Sequence, residues 1–225
     1  MSLARNTLVQ SSLTLGSRIL GFVRDMALAA RFGQGPMMDA FTTALMLPNM
    51  FRRLFAEGAF AQAFVPVYGG VRAREGEEAA AVTASEALSF MLAVVAGFCI
   101  LLQVIMPWIM PWLLSAYQGQ PEVLRAAVIA TQLAMPYLAC MTVASLLSGV
   151  LNTGGRFALS AAVPVFLNLC TLAALLPPMI LPIPQEMVLL MVTAAVTVSG
   201  LIQAGLLWWG CLLYTSPSPR DKRQS

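Results

Sequence analysis

Residues 87–114 read ALSFMLAVVAGFCILLQVIMPWIMPWLL, without one charged side chain. At ~1.5 Å of rise per helical residue, that is more than enough to cross a hydrocarbon core of ~30 Å. Similar apolar runs recur along the 225 residues, of which 59% are hydrophobic and 10% charged, at a mean hydropathy of +0.78. An ordinary soluble domain carries about 25% charged residues. Lipid admits only helices or closed barrels, and barrel strands alternate in polarity, which this chain does not. The sequence therefore reads as an all-α integral membrane protein.

Six transmembrane spans are expected, at about 7–32, 38–68, 80–113, 123–151, 157–176 and 186–210, packed as one bundle. The turn-forming stretches FGQGP (32–36), RAREGEE (72–78), SAYQGQP (115–121), NTGGR (152–156) and PPMILPIPQ (177–185) separate them. A cytoplasmic N-terminus places Arg5, Arg72, Arg74 and Arg156 on the inner side and leaves the cores of the outer loops without Lys or Arg, in keeping with the positive-inside rule. Arg31 and Arg125, near outer ends of spans, are placed to snorkel toward headgroups. Prolines fall within or near spans at Pro48, Pro66, Pro107, Pro111, Pro136 and Pro164, as a bundle tolerates.

Several function classes are excluded or disfavoured. The chain has no histidine, which removes Ser-His-Asp catalysis, histidine-ligated zinc and imidazole switches. Cys99, Cys140, Cys170 and Cys211 are far apart in apolar segments and read as packing residues, with no metal or cofactor expected. The formal charge is +3, and Arg220, Lys222 and Arg223 against Asp221 supply +2 of it. The nearly neutral body offers no basic, aromatic-studded face for a nucleic acid. Arg18 and Arg24 interrupt the first apolar run, against a cleavable signal peptide, and no phosphate-binding glycine loop occurs.

Charge inside the spans is the informative departure. In the first, Ser11, Thr14, Arg18, Gly21 and Asp25 recur at steps of three or four and share one helix face, with Arg24 beside it. In the second, Asp39, Thr42, Met46, Asn49, Arg53 and Glu57 do the same, with Arg52 adjacent. From the inner ends, Arg18 lies ~16 Å, Arg24 ~26 Å and Arg53 ~22 Å along their helices. Each arginine near mid-bilayer costs about 2.5 to 3.5 kcal/mol, so they must face water or protein. One reading is a structural ion-pair network of Arg24 or Arg18 with Asp25, Arg53 with Glu57, and Asp39 with a group across the bundle. The other is a hydrated cavity for an anion, because four arginines outnumber the three acids and the guanidinium fork matches phosphate oxygens. A voltage sensor would repeat arginine every third residue, and this chain does not.

TLGSRILGFVRD (14–25), MDAFTTALMLPNMFRRLFAEGAFAQAFVPV (38–67), LNTGGRF (151–157) and PVFLN (164–168) closely resemble the MurJ (MviN) family of lipid II flippases, within the multidrug/oligosaccharidyl-lipid/polysaccharide exporter superfamily. The resemblance covers nearly all of residues 1–210. It implies a bacterial inner-membrane protein that moves undecaprenyl-pyrophosphate-linked peptidoglycan precursor, lipid II, to the periplasmic leaflet by alternating access, its tail left among membrane lipids. It also implies a fold of two pseudo-symmetric lobes around a cationic cavity, of which this chain matches the first. The family's cavity arginines fall on Arg18, Arg24, Arg52 and Arg53. Asn49 and Asp25 also match, Asp39 falls near the outer gate and Glu57 at the inner gate.

A single lobe is not expected to flip lipid by itself. After Trp209 the family pattern gives way to CLLYTSPSPRDKRQS, so residues 211–225 are expected to be a non-native or disordered tail resembling adapter read-through. Competing functions are a drug/cation antiporter or O-antigen flippase of the same superfamily, a polyprenyl-phosphate transferase, and a membrane scaffold. Antiporters rely on acidic sites where this chain has arginine. The transferase would need magnesium-binding acids, for which Glu75, Glu77 and Glu78 are the candidate cluster, and these read instead as a solvated turn. No enzymatic activity is expected.

Overall fold

The computed structural model describes residues 3–55, 59–155 and 157–215, and the side chains of 11–53, 62–155 and 157–212. The described chain is helical nearly throughout: α1 Leu3–Phe32, α2 Pro36–Phe55, α3 Ala59–Glu75, α4 Glu77–Leu113, α5 Pro121–Thr153, α6 Phe157–Ile180 and α7 Gln185–Thr215, with a 3-10 turn at Ser115–Tyr117. Proline stands at the first position of α2 and α5, where its missing N–H costs nothing. Gly33 (φ 63) ends α1 and Gly76 (φ 90) alone separates α3 from α4, both in a region that side chains avoid. Across that one-residue break Arg72 Nε donates to Glu77 Oε1 at 2.8 Å.

Two boundaries differ from the sequence expectation. The stretch 38–68 is carried by two helices, α2 and α3, with residues 56–58, and so Glu57, outside the described residues. The two bury different faces: α2 turns Ala40, Phe41 and Ala44 inward, whereas α3 buries Phe64 and Tyr68 beside Ala80 of α4 and Leu146 of α5. In addition, α6 takes in Pro177 and Pro178, which the sequence places in the turn-forming stretch 177–185. A proline removes the bond to the carbonyl four residues back and crowds that carbonyl with its ring, a bend that a last turn can absorb, and Leu181 N–H closes on Pro177 O at 2.9 Å.

α4, α5, α6 and residues Gln185–Leu212 of α7 are long and apolar enough to cross a membrane. Their outer surface is greasy: Phe90, Ile100, Trp108 and Trp112 on α4 and Leu201, Trp208 and Trp209 on α7 are exposed. Such a surface suits acyl chains, with tryptophans near the helix ends as at a lipid interface. The chain is a multi-pass membrane protein.

Helix α5 is the hub, packing on α2, α3, α4, α6 and α7. Its Ala126, Ala127, Ala130 and Ala134 are fully buried, and small side chains let neighbouring backbones approach. The largest core cluster joins the α1–α2 turn (Leu28, Phe32, Phe41) to Met106 and Met110 of α4 and to Val188 and Val192 of α7. Elsewhere the core divides into smaller clusters, one around Tyr137, Met141 and Leu207. Buried Thr131, Thr142, Thr171 and Thr193 satisfy themselves, each hydroxyl donating to the carbonyl four residues back at 2.8–2.9 Å. The four cysteines are free.

At Gly200 a Cβ would lie 2.8 Å from Tyr137 Cδ2 and 2.9 Å from Cys140 Cβ, whereas at Gly205 on the same helix it would meet nothing within 4 Å. Gly200→Ala is expected to lower stability by about 1–3 kcal/mol by wedging α5 from α7. Gly205→Ala is expected to be neutral or to raise stability by up to about 1 kcal/mol, on helix propensity. Thermal unfolding of the two variants in detergent checks the contrast.

At the opposite end of α2 from its arginines, the Tyr117 hydroxyl donates to Asp39 Oδ2 at 2.5 Å. This bond, then desolvation, then the carboxylate charge raise the Tyr117 pKa above its ordinary value. Because the folded value is the higher one, the link stabilises the fold fully below the ordinary phenol range of about 10 and is lost as pH rises through the folded value. A tyrosinate absorbance titration is expected to show the Tyr117 phenol titrating late. Tyr117→Phe should remove it, and Asp39→Asn should return it to the ordinary range.

Candidate functional site

The polar stripes of α1 and α2 are turned away from the bundle core. On α1, Ser11, Thr14, Arg18 and Asp25 are exposed while Ser17, Leu28 and Phe32 are buried. On α2, Asp39, Thr42, Met46, Asn49 and Arg53 are exposed while Ala40, Phe41, Ala44 and Pro48 are buried. The three-to-four residue spacing that puts these groups on one face also turns the apolar residues between them toward the bundle, chiefly onto α6 from α1 and onto α5 from α2.

Among the described residues, three cavities are seen along this polar side. One, about 430 Å³, lies among α2, α5, α6 and α7 and is lined in part by Asn49, Arg52, Ser145, Ser148, Ser160 and Gln203. A second, about 240 Å³, is lined by Thr14, Ser17 and Arg18 of α1 and by Asn152, Ser160 and Pro164. The two share Ser160 and Pro164, so they adjoin along α6, one lined by Arg52 and the other by Arg18. Arg18 also lines a shallower recess of about 400 Å³ with Ser11 and Thr14.

Arg24 is held differently. Its Nε and Nη2 both donate to Asp25 Oδ1, at 3.0 and 2.8 Å, and its Nη1 donates to Asn168 Oδ1 at 2.9 Å. Asn168, on α6 and 5% exposed, donates in turn through Nδ2 to the Ser17 carbonyl at 2.9 Å. Gly21 lies against this clasp, where a Cβ would stand 3.6 Å from Asn168 Nδ2, an ordinary contact. The pair is not sealed off: the side chains of Arg24 and Asp25 remain 26% and 64% exposed.

The expected residues therefore fall into groups. Arg24 and Asp25 form one ion pair, Asn49 and Arg52 share the large cavity, and Arg18 lines its continuation. Arg53 is exposed, and among the described residues neither it nor Arg18 makes a hydrogen bond or ion pair. Asp39 is engaged with Tyr117, away from the arginines. Glu57 lies outside the described residues. Glu75, Glu77 and Glu78 are exposed at the α3–α4 break, with Glu77 paired to Arg72. Sequence reasoning missed Asn168, Ser17, Tyr117 and Gln203. The available signal was a lone amide closing the apolar run PVFLN and another within the last span.

A family model described as "Lipid II flippase MurJ" matches residues 28–212, a stretch that contains Asp39, Asn49, Arg52 and Arg53 and follows Arg18, Arg24 and Asp25. The probable lipid II flippase MurJ of Rhizobium meliloti (strain 1021) is 39% identical over 176 residues, 78% of this chain and 33% of that protein. The lipid II flippase MurJ of Burkholderia cenocepacia is 37% identical over 182 residues, 77% of this chain and 34% of that protein. The chain thus spans about a third of the length of these curated relatives. A solved structure described as "Lipid II flippase MurJ, inward closed conformation" superposes with a TM-score of 0.63 at 22% identity, covering 88% of this chain and 41% of that one, which establishes the shared fold. On the match over residues 28–212 and these relatives, the chain belongs to the MurJ lipid II flippase family.

Proposed function

We propose that this chain is one lobe of a transporter that carries undecaprenyl-pyrophosphate-linked peptidoglycan precursor from the cytoplasmic to the periplasmic leaflet of a bacterial inner membrane. The observation that carries this reading is the placement of the arginines. Arg18 and Arg52 line a crevice that serine and amide side chains keep polar, and Arg53 stands on the exposed α2 stripe beside it. A guanidinium in a site of reduced water content attracts a doubly charged diphosphate strongly and binds its oxygens two at a time. The roles are distinct. Arg18, Arg52 and Arg53 receive the pyrophosphate, and Arg24, fixed by Asp25 and Asn168, presents an oriented cation beside them. Asn49 supplies an amide at the crevice wall.

Asp39 acts at the other end of α2, where its bond to Tyr117 ties the α1–α2 turn to the α4–α5 connection and so steadies the outer side. Glu57 is assigned to the inner gate. The N-terminus is cytoplasmic, a placement supported by Arg72 and Arg74 in the last turn of α3. The chain's part is binding and reorientation, with no bond made or broken.

The test is binding of undecaprenyl pyrophosphate to the chain in nanodiscs. Arg18→Ala, Arg52→Ala and Arg53→Ala are each expected to weaken it by about tenfold, the size of one lost charge-assisted hydrogen bond. Lysine at the same positions should recover only part, because it keeps the charge and loses the fork. Affinity indifferent to all three alanines would overturn the proposal. In a full-length family member with this lobe, Arg53→Ala should abolish flipping while membrane insertion stays normal. Failed insertion would assign Arg53 to packing.

A further inference from the structure

Two proline breaks meet where α4 packs on α5. In α4, Pro107 has no N–H for the carbonyl of Gln103, four residues back, and its ring crowds that carbonyl. In α5, Pro136 does the same to the carbonyl of Gln132. The two helices run antiparallel, and Gln103 and Gln132 both lie ~15–17 Å from the ends that meet at the α4–α5 connection. A freed carbonyl in apolar surroundings is costly unless a neighbour supplies a donor.

Gln132 supplies one. It is the one amide in AAVIATQLAMPYLA (126–139), and its Nε2 donates across to Gln103 O at 3.0 Å. The carbonyl it reaches is the one that Pro107 leaves open. Gln132 therefore stands at both breaks: Pro136 frees its own carbonyl, and its side chain closes the gap made by Pro107. Around the α5 break two more donors come from other helices, Thr197 Oγ1 of α7 to Leu133 O at 2.5 Å and Cys99 Sγ of α4 to Met135 O at 3.5 Å. Beyond Pro107, α4 is weakened again by Pro111. This end nevertheless sets Met110 and Leu114 into the same core cluster as Phe32 and Phe41, and it leads to Tyr117, whose hydroxyl donates to Asp39.

We propose that Gln132 is a pin between the two proline breaks, a positioning residue that makes the stretch from Pro107 through the connection to Gln132 one rigid body and so brings Tyr117 to Asp39. Without the pin each helix hinges at its own proline, and the facing ends of α4 and α5 tilt independently. With it, a displacement of α5 at this level carries the end of α4, Tyr117 and the Asp39 end of α2 along. No arginine takes part, so the inference stands apart from the pyrophosphate reading.

The test is a double-mutant cycle on the chain in nanodiscs. Gln132→Met keeps the length of the side chain and deletes its donor. It is expected to lower the midpoint of thermal unfolding by about 2 to 5 °C, the worth of one cross-helix hydrogen bond in a chain of this size. Amide hydrogen exchange should rise several-fold in the stretch 104–117 and stay unchanged in α6. In Pro107→Ala the new N–H closes on Gln103 O, so adding Gln132→Met should cost less than about 1 °C and leave exchange at 104–117 as in Pro107→Ala alone. In Pro66→Ala, which alters a proline of α3 away from both breaks, Gln132→Met should cost as much as in the unaltered chain. Equal losses in the Pro107→Ala and unaltered backgrounds, or no rise in exchange at 104–117, overturn the pin and leave Gln132 a packing residue. If Gln132→Met does not fold by itself, recovery of a folded chain on adding Pro107→Ala supports the pin, and failure to recover overturns it.

Discussion

A guanidinium cannot rest in hydrocarbon without cost, about 2.5 to 3.5 kcal/mol each near the bilayer centre, and this chain has Arg18, Arg24, Arg52 and Arg53 within its first two spans, besides Arg31 near an end. That constraint governs how α1 and α2 sit. Both keep one narrow apolar face for the bundle and turn the opposite stripe away from it. α1 leans chiefly on α6, and α2 on α5. Neither is wrapped on all sides as α5 is, because full burial would seal cations away from water and from any anion. The polar side of the lobe follows from the cost of the arginines as much as from any ligand.

The rest of the bundle makes this one-sided arrangement stable. α5 supplies small side chains where helices must approach and hydroxyls that bond within their own helix, so it can be buried without needing cross-helix polar partners. The close contact of Gly200 with Tyr137 and Cys140 joins α5 to α7. The core is most extensive around the α1–α2 turn, where α1, α2, α4, α5, α6 and α7 share one cluster, and divides toward the opposite half. The crevice lies beside one of the smaller clusters, sharing Tyr137, Met141 and Val163 with it.

Much of this is readable from local spacing. The stripes of Arg18 and Arg53 are visible because a helix repeats every 3.6 residues and a polar face therefore shows as steps of three and four. The apolar runs of α4 to α7 mark themselves by length alone. What spacing does not encode is which distant residue meets which. Asn168 is one amide in an apolar run until α6 is laid against α1, 151 residues from Ser17, and Tyr117 is an ordinary loop tyrosine until Asp39 comes within 2.5 Å. The serines of α5 are unremarkable singly and become a wall only when α2, α6 and α7 close around them. The inclusion of Pro177 and Pro178 in α6 was hidden for a related reason: Pro178 and Leu175 are buried, so tertiary packing outweighs the breaker signal.

The arginines differ in how they are held, and the two competing readings draw their support from different ones. Arg24 fits the structural reading, since three donors of its guanidinium are committed to Asp25 and Asn168 and its position is fixed by a second helix. Arg18 and Arg53 fit the other, being exposed without an ion pair among the described residues, and Arg52 joins them at the crevice wall. In the pyrophosphate reading proposed above, the held Arg24 would set the local potential and lose no side-chain entropy on binding, while Arg18 and Arg53, exposed and without an ion pair among the described residues, would each lose about 2 kcal/mol of rotamer freedom on closing on an oxygen. Such a loss would keep the affinity of the proposed site moderate, as a carrier that must release its cargo requires.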